Sequence, residues 1–98
     1  MDSVLIVGTG TIGAPLAALF CALRRELDLE EVIVYKHTPR LRDRADLASL
    51  LQAGARLCVD PEKAGLFEEL GFRPDLLGLE AGIRRARVVI DCTPDGTG

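Results

Sequence analysis

A chain of 98 residues with 48% hydrophobic and 28% charged side chains has the composition of one modest domain, or part of one. Its net charge of −3 lacks the electrostatic footprint of a polyanion binder, and 4% aromatics with no Trp exclude a stacking platform for single-stranded nucleic acid. No apolar run approaches membrane-spanning length, and Asp2 ahead of the first run does not fit a signal peptide, so the cytoplasm is the expected compartment.

The chain opens with Val4-Leu5-Ile6-Val7, a continuous apolar run that reads as a strand buried on both faces. Gly8-x-Gly10-x-x-Gly13 follows directly, with the spacing of a dinucleotide-binding turn. Gly8 permits a tight strand-to-helix turn, Gly10 lets a pyrophosphate approach bare backbone, and Gly13 lets the next helix lie close to the sheet. That helix is expected over 11–26, with Thr11 and Ile12 at its start, where free N–H groups favour phosphate. Ala14, Ala17, Ala18, Cys21 and Ala22 offer it a small-residue face, and Pro15 falls harmlessly in its first turn.

A second apolar run over 31–36 reads as a strand, followed by Thr38-Pro39 and a helix over 41–52. In that helix Leu41, Ala45, Ala48 and Leu51 or Gln52 recur at helical spacing, and Gly54 is the expected stop. A short strand is expected at 56–59, a helix over 61–70 ending at Gly71, and a loop over 72–75. A short helix near 79–84 then leads to a last strand at 87–91 and a loop over 92–98.

Strands that alternate with helices and are apolar on both faces imply a parallel sheet with right-handed crossovers. The expected architecture is α/β, a Rossmann-type parallel sheet of four strands in the order 3-2-1-4 with flanking helices, over residues 1–98. In that order the Gly8–Gly13 turn and the loop after the last strand face each other across one crevice, where a dinucleotide's phosphates and nicotinamide ribose belong.

The second strand carries information about which dinucleotide. In an NAD site this strand ends in Asp or Glu, which holds the ribose hydroxyls. Here the place is taken by Tyr35-Lys36-His37-Thr38. Lys36 supplies a charge for a 2′-phosphate, Thr38 or a backbone N–H adds a hydrogen bond, and the missing acid removes a repulsion against NADP. The expected cofactor is NADP, with NAD possible, although Lys36 also reads as an ordinary solvated strand end. His37 either meets adenine or the 2′-phosphate or is an exposed loop residue without a role.

Metal and disulfide chemistry find no support. Cys21, Cys58 and Cys92 lie far apart and are odd in number, there is one His, and no Cys/His cluster exists. All three cysteines read as small buried hydrophobes in a reducing compartment.

Three stretches together carry a family resemblance. Gly8-x-Gly10-Thr11-Ile12-Gly13, Val34-x-Lys36-x-x-Pro39, and Val88-Val89-Ile90-Asp91-Cys92-Thr93-Pro94-x-Gly96-x-Gly98 resemble the archaeal-type (type II) glyceraldehyde-3-phosphate dehydrogenases. The pieces between agree in order: Gly54-x-x-Leu57-x-Val59, Phe67-Glu68-x-x-Gly71, Gly78 and Ala86. The resemblance covers essentially the whole chain, but only that family's N-terminal cofactor-binding part. It implies an NADP-preferring, NAD-tolerant enzyme that oxidises and phosphorylates an aldehyde through a cysteine thioester, and a homo-oligomer at full length. It further implies that Thr11 and Ile12 lie against the cofactor, Lys36 meets the 2′-phosphate, and Thr93 and Pro94 line the nicotinamide side. The family's nucleophilic Cys and its His base correspond to nothing in residues 1–98, and Cys92 does not match the nucleophile. Where the family has Asn before the first glycine, an aromatic after it and Lys-Arg after the third, this chain has Val7, Thr9 and Ala14-Pro15.

Two other readings compete with this one. One is the cofactor part of a different dehydrogenase, of homoserine or semialdehyde type. The other is a free-standing NADP-binding module without catalysis. An apolar, uncharged final strand makes a poor natural sheet edge, which favours a part of a longer enzyme. No catalytic residue and no metal ligand is expected within the chain.

Overall fold

The computed structural model describes residues 2–8, 13–37 and 44–92. Its centre is β1 (Asp2–Val7), in which Ser3 through Ile6 are buried. β2 (Leu29–Tyr35) lies parallel on one side, aligning Val4 with Val32, Leu5 with Ile33 and Ile6 with Val34. β5 (Val88–Asp91) lies parallel on the other, aligning Leu5 with Val89 and Ile6 with Ile90. Beyond β2 comes β3 (Arg56–Val59), and beyond that a two-residue strand, β4 (Leu76–Leu77). The sheet therefore has five parallel strands in the order β4-β3-β2-β1-β5.

The expected order survives for the four strands read from sequence, and β4 extends the sheet at its outer side. Two residues show no periodicity; β4 forms because the open edge of β3 pairs with Leu76 and Leu77. Asp75 starts this pairing by donating its backbone N–H to the Leu57 carbonyl at 2.8 Å while its carboxylate accepts the Leu57 N–H at 3.0 Å.

Both faces of the sheet are covered, which is why its inner strands are apolar without interruption. Val4, Ile6, Val32, Val34, Leu57 and Val59 point to one face. There they meet α1 (Gly13–Ala22), α2 (Arg44–Gln52) and α3 (Ala64–Glu69). Leu5, Ile33, Tyr35 and Cys58 point to the other, toward α4 (Leu79–Arg85) and its flanking Ala86. A Cβ built on Gly82 would stand 3.3 Å from the Cys58 sulfur and from both Leu5 methyls, so α4 lies close enough to the sheet that a side chain there would crowd it.

The helices differ from expectation in extent and in facing. α1 stops at Ala22, and residues 23–28 turn back toward the sheet through Asp28, whose φ of 54° is left-handed. The helix thus ends four residues before the expected 26, and an Asp tolerates the left-handed conformation at the end of the return turn better than most side chains. Of the small-residue face, Ala17 is buried and Cys21 half-buried, whereas Ala18 and Ala22 are exposed. In α2 the buried residues are Leu47 and Leu50; of the expected row Ala45, Ala48 and Gln52 are exposed, Leu51 is half-buried against the core, and Leu41 lies outside the described residues. Larger side chains win the core because they remove more apolar area from water. The expected helix over 61–70 begins as a 3-10 turn (Pro61–Lys63) before α3, whose Phe67 is buried.

Candidate functional site

In a parallel sheet every strand delivers its carboxyl end to the same edge. Gly8, Lys36, Asp60 and Cys92 accordingly leave β1, β2, β3 and β5 at one rim. Backbone hydrogen bonds fix that rim: the Gly8 N–H donates to the Tyr35 carbonyl at 3.0 Å, and the Lys36 N–H to the Cys58 carbonyl at 3.1 Å. The Cys92 N–H donates to the Val7 carbonyl at 2.8 Å. The chain goes from β1 to β2 on one side and returns to β5 on the other. The crevice between β1 and β5 is thus the switch point at which parallel α/β sheets bind ligands.

Gly8 has a φ of 90°, a conformation that an L side chain rarely adopts. It ends β1, and Gly13 opens α1, so the glycine turn lies between a strand and a helix, the context its spacing demands. Gly10, Thr11 and Ile12, and likewise Thr38, Thr93 and Pro94, lie outside the described residues. Lys36 is half-buried and His37 exposed at the end of β2.

The end of the second strand holds no carboxylate of its own. The tertiary structure supplies one from β3. Asp60, the first residue after β3, accepts the Tyr35 hydroxyl at 2.7 Å on the same Oδ2 that lies 3.2 Å from His37 Nδ1. The Tyr35 oxygen is 3.5 Å from that Nδ1, closing a three-membered cluster. Facing a carboxylate, Nδ1 is the ring nitrogen that carries the proton. Burial, and then the hydrogen bond and charge of Asp60, push the Tyr35 phenol well above its ordinary value, so it remains a neutral donor. A signal for this was present: in the order 3-2-1 the ends of the second and third strands are neighbours, so the residue after the third reaches the residues after the second. Tyr35 stands in the strand-end stretch itself, whereas Asp60 is 25 residues away in sequence and belongs to no motif, so its pairing with Tyr35 is not legible locally.

A second charged cluster occupies the opposite rim, at the amino ends of the strands. Glu31 is 6% exposed and receives the guanidinium of Arg85 as well as Arg56 Nε at 3.1 Å, with the Ser3 hydroxyl at 3.5 Å. Beside it lies an open groove of about 430 Å³, lined by Arg24, Arg56, Arg73, Glu30, Glu31 and Asp75. Within it Arg56 bridges two carboxylates, Glu31 at 3.1 Å and Asp75 at 3.8 Å. These groups hold β2, β3 and α4 together and are turned away from the glycine turn.

Cys58 is buried, donates to the Gly78 carbonyl at 3.2 Å, and is pushed up to about 11 chiefly by burial. This is a packing thiol rather than a nucleophile. Cys21 is half-buried and likewise raised by burial, against a smaller opposing effect of Arg24. Among the described residues no group of three or more His, Cys, Asp or Glu could hold a metal ion, and no helix is long and apolar enough to cross a membrane.

The chain is similar to a glyceraldehyde-3-phosphate dehydrogenase 1 of Methanosarcina acetivorans, with 34% identity over 95 residues. The match takes in 97% of this chain and 26% of that protein, so the chain spans about a quarter of the length of the curated relative it matches. No protein-family model matches the chain. No solved structure matches it significantly.

Proposed function

We propose that residues 1–98 form the NAD(P)-binding part of a phosphorylating glyceraldehyde-3-phosphate dehydrogenase-like oxidoreductase, with NADP preferred over NAD. The observation that carries the reading is the similarity to such an enzyme along almost the whole chain. It is supported by a glycine turn between β1 and α1 at the switch point of a parallel sheet.

The residues fit a dinucleotide. Gly8 leaves the crevice floor without a side chain, and its N–H is spent on Tyr35, so the turn is anchored on the sheet before any ligand arrives. Gly8, Gly10 and Gly13 would take the pyrophosphate, with Thr11 and Ile12 at the helix start, and Thr93 and Pro94 would line the nicotinamide side across from β1. A bound nicotinamide would supply a hydride acceptor at this rim. This chain's residues bind and orient it; the nucleophile and base of such an enzyme are assigned to a part outside residues 1–98. Full-length assembly is read as a homo-oligomer and the compartment as cytoplasmic.

The preference for NADP is supported by Lys36 and His37 at the end of β2. Asp60 stands nearby, yet its Oδ2 is occupied by Tyr35 and His37, so that oxygen is not available to a ribose hydroxyl. Titration calorimetry of the chain with NADP and NAD tests the reading. Saturable NADP binding is expected, abolished by Gly10→Val and shifted toward NAD by Lys36→Glu. Absence of binding by the folded chain, or tighter binding of NAD than of NADP, refutes the corresponding part.

A further inference from the structure

We infer that His37, held by Asp60, selects between a 2′-phosphate and a 2′-hydroxyl according to its own protonation, so that the preference for NADP over NAD depends on pH. The inference rests on the reading of this rim as a dinucleotide site, and it adds a discriminating residue that responds to proton concentration.

The geometry is specific. Nδ1 of His37 faces Asp60 Oδ2 at 3.2 Å and the Tyr35 oxygen at 3.5 Å, while the side chain as a whole is 69% exposed. An imidazole fixed by one nitrogen presents the other on the opposite edge of the ring. Because Nδ1 keeps its proton toward Asp60, any change of charge occurs at Nε2. Neutral Nε2 is an acceptor and suits a ribose 2′-hydroxyl, which can donate to it. Protonated Nε2–H is a cationic donor and suits a 2′-phosphate, which only accepts.

Histidine is, among side-chain types, the one whose ordinary charge change falls between about pH 5 and 8, which sets the range to be searched. The described groups in contact with it are Tyr35 from the end of β2 and Asp60 from the end of β3, with Lys36 its neighbour along the chain. Glu62 on the 3-10 turn adds a negative charge felt at Tyr35. Tyr35 stays neutral throughout, since its hydroxyl is committed to Asp60 at 2.7 Å. The ligand's own titration runs the other way. A phosphate monoester loses its second proton near about pH 6, which strengthens NADP binding as pH rises. A fall in NADP preference with rising pH therefore has the opposite sign to anything the phosphate does.

The experiment measures dissociation constants of NADP and NAD for the 98-residue chain from pH 6 to pH 8, beside His37→Gln and Gly10→Val. A charge-assisted hydrogen bond is about twice as strong as a neutral one, so the preference for NADP should fall roughly tenfold across this range. In His37→Gln the fall should disappear or reverse, and Gly10→Val should bind neither nucleotide. His37 is the chain's one histidine, so its ring protons give a single resolvable NMR titration. By reciprocity, NADP should move that midpoint upward and NAD should not. A preference that is flat or rises with pH, or an NMR midpoint unmoved by bound NADP, overturns the inference while leaving the cofactor site intact. Failure of the unaltered chain to bind either nucleotide overturns the site reading, and the inference with it.

Discussion

Replacing Gly82 with alanine separates two opposing effects whose sizes can be worked out from the structure. Within a helix, Gly→Ala ordinarily stabilises by about 1 kcal/mol, because glycine loses the most backbone freedom on folding. At Gly82 the new methyl would lie 3.3 Å from the Cys58 sulfur and from each Leu5 methyl. Carbon contacts are optimal nearer 3.5–4.0 Å, roughly, so three neighbours must yield at once. They have little room. Leu5 and Cys58 are fully buried, Leu5 sits in the central strand, and Cys58 is tied to Gly78 by a hydrogen bond of 3.2 Å. Overpacking costs about 1–3 kcal/mol, so against the helix gain Gly82→Ala should come out between neutral and about 2 kcal/mol destabilising. Gly82→Val should cost about 3 kcal/mol, or a fall of very roughly 12–24 °C in melting temperature for a domain this small.

Gly65 in α3 provides the control, since a Cβ built there meets nothing within 4 Å. Gly65→Ala should gain the helix term alone, about 0.5–1 kcal/mol. Urea unfolding followed by circular dichroism reads all three variants against the unaltered chain. If the two alanine variants stabilise equally, α4 does not rest on Leu5 and Cys58, and the account of the second face is wrong. That outcome would also reach the site, because α4 leads directly into β5, which forms one wall of the crevice.

Three further predictions follow from other parts of the fold. The Cys58 thiol is raised to about 11 in the folded chain, so below its ordinary value near 9 it contributes no pH dependence. Between these values the unfolded chain ionises first and stability should decline with rising pH, a decline that Cys58→Ala should lessen in urea melts at pH 8 and pH 10.5. Arg85→Ala removes one of two guanidiniums from Glu31, which is 6% exposed, and should cost about 1–3 kcal/mol by the same assay; an unchanged midpoint would mean Arg56 alone satisfies the carboxylate. Gly8→Ala places a side chain at a φ of 90° and should cost about 1–2 kcal/mol of stability. Calorimetry on a Gly8→Ala chain that is still folded should also show weakened dinucleotide binding, because the turn would relax away from Tyr35.

The amino-acid sequence by itself determined the class of fold and the placement of the glycine turn. Val4–Val7 and Val32–Tyr35 are apolar without alternation, and only a strand covered on both faces satisfies that pattern, which forces helices onto both sides of a parallel sheet. Gly8 and Gly13 bracket the turn because a φ of 90° and a strand-to-helix reversal are local demands, met by local residue types. Lys36 and His37 were legible as the end of β2 for the same reason. What depended on distance could not be read locally. β4 exists because Leu76 and Leu77 find the edge of β3, and α2 buries Leu47 and Leu50 because its rotation is set by the sheet it lands on. The Tyr35, His37 and Asp60 cluster joins positions 25 residues apart, and only the side-by-side arrangement of β2 and β3 brings the carboxylate to the histidine. A hydrogen bond at 2.7 Å is decided by where two backbones lie to within a fraction of an ångström, and that is a property of the packed sheet as a whole.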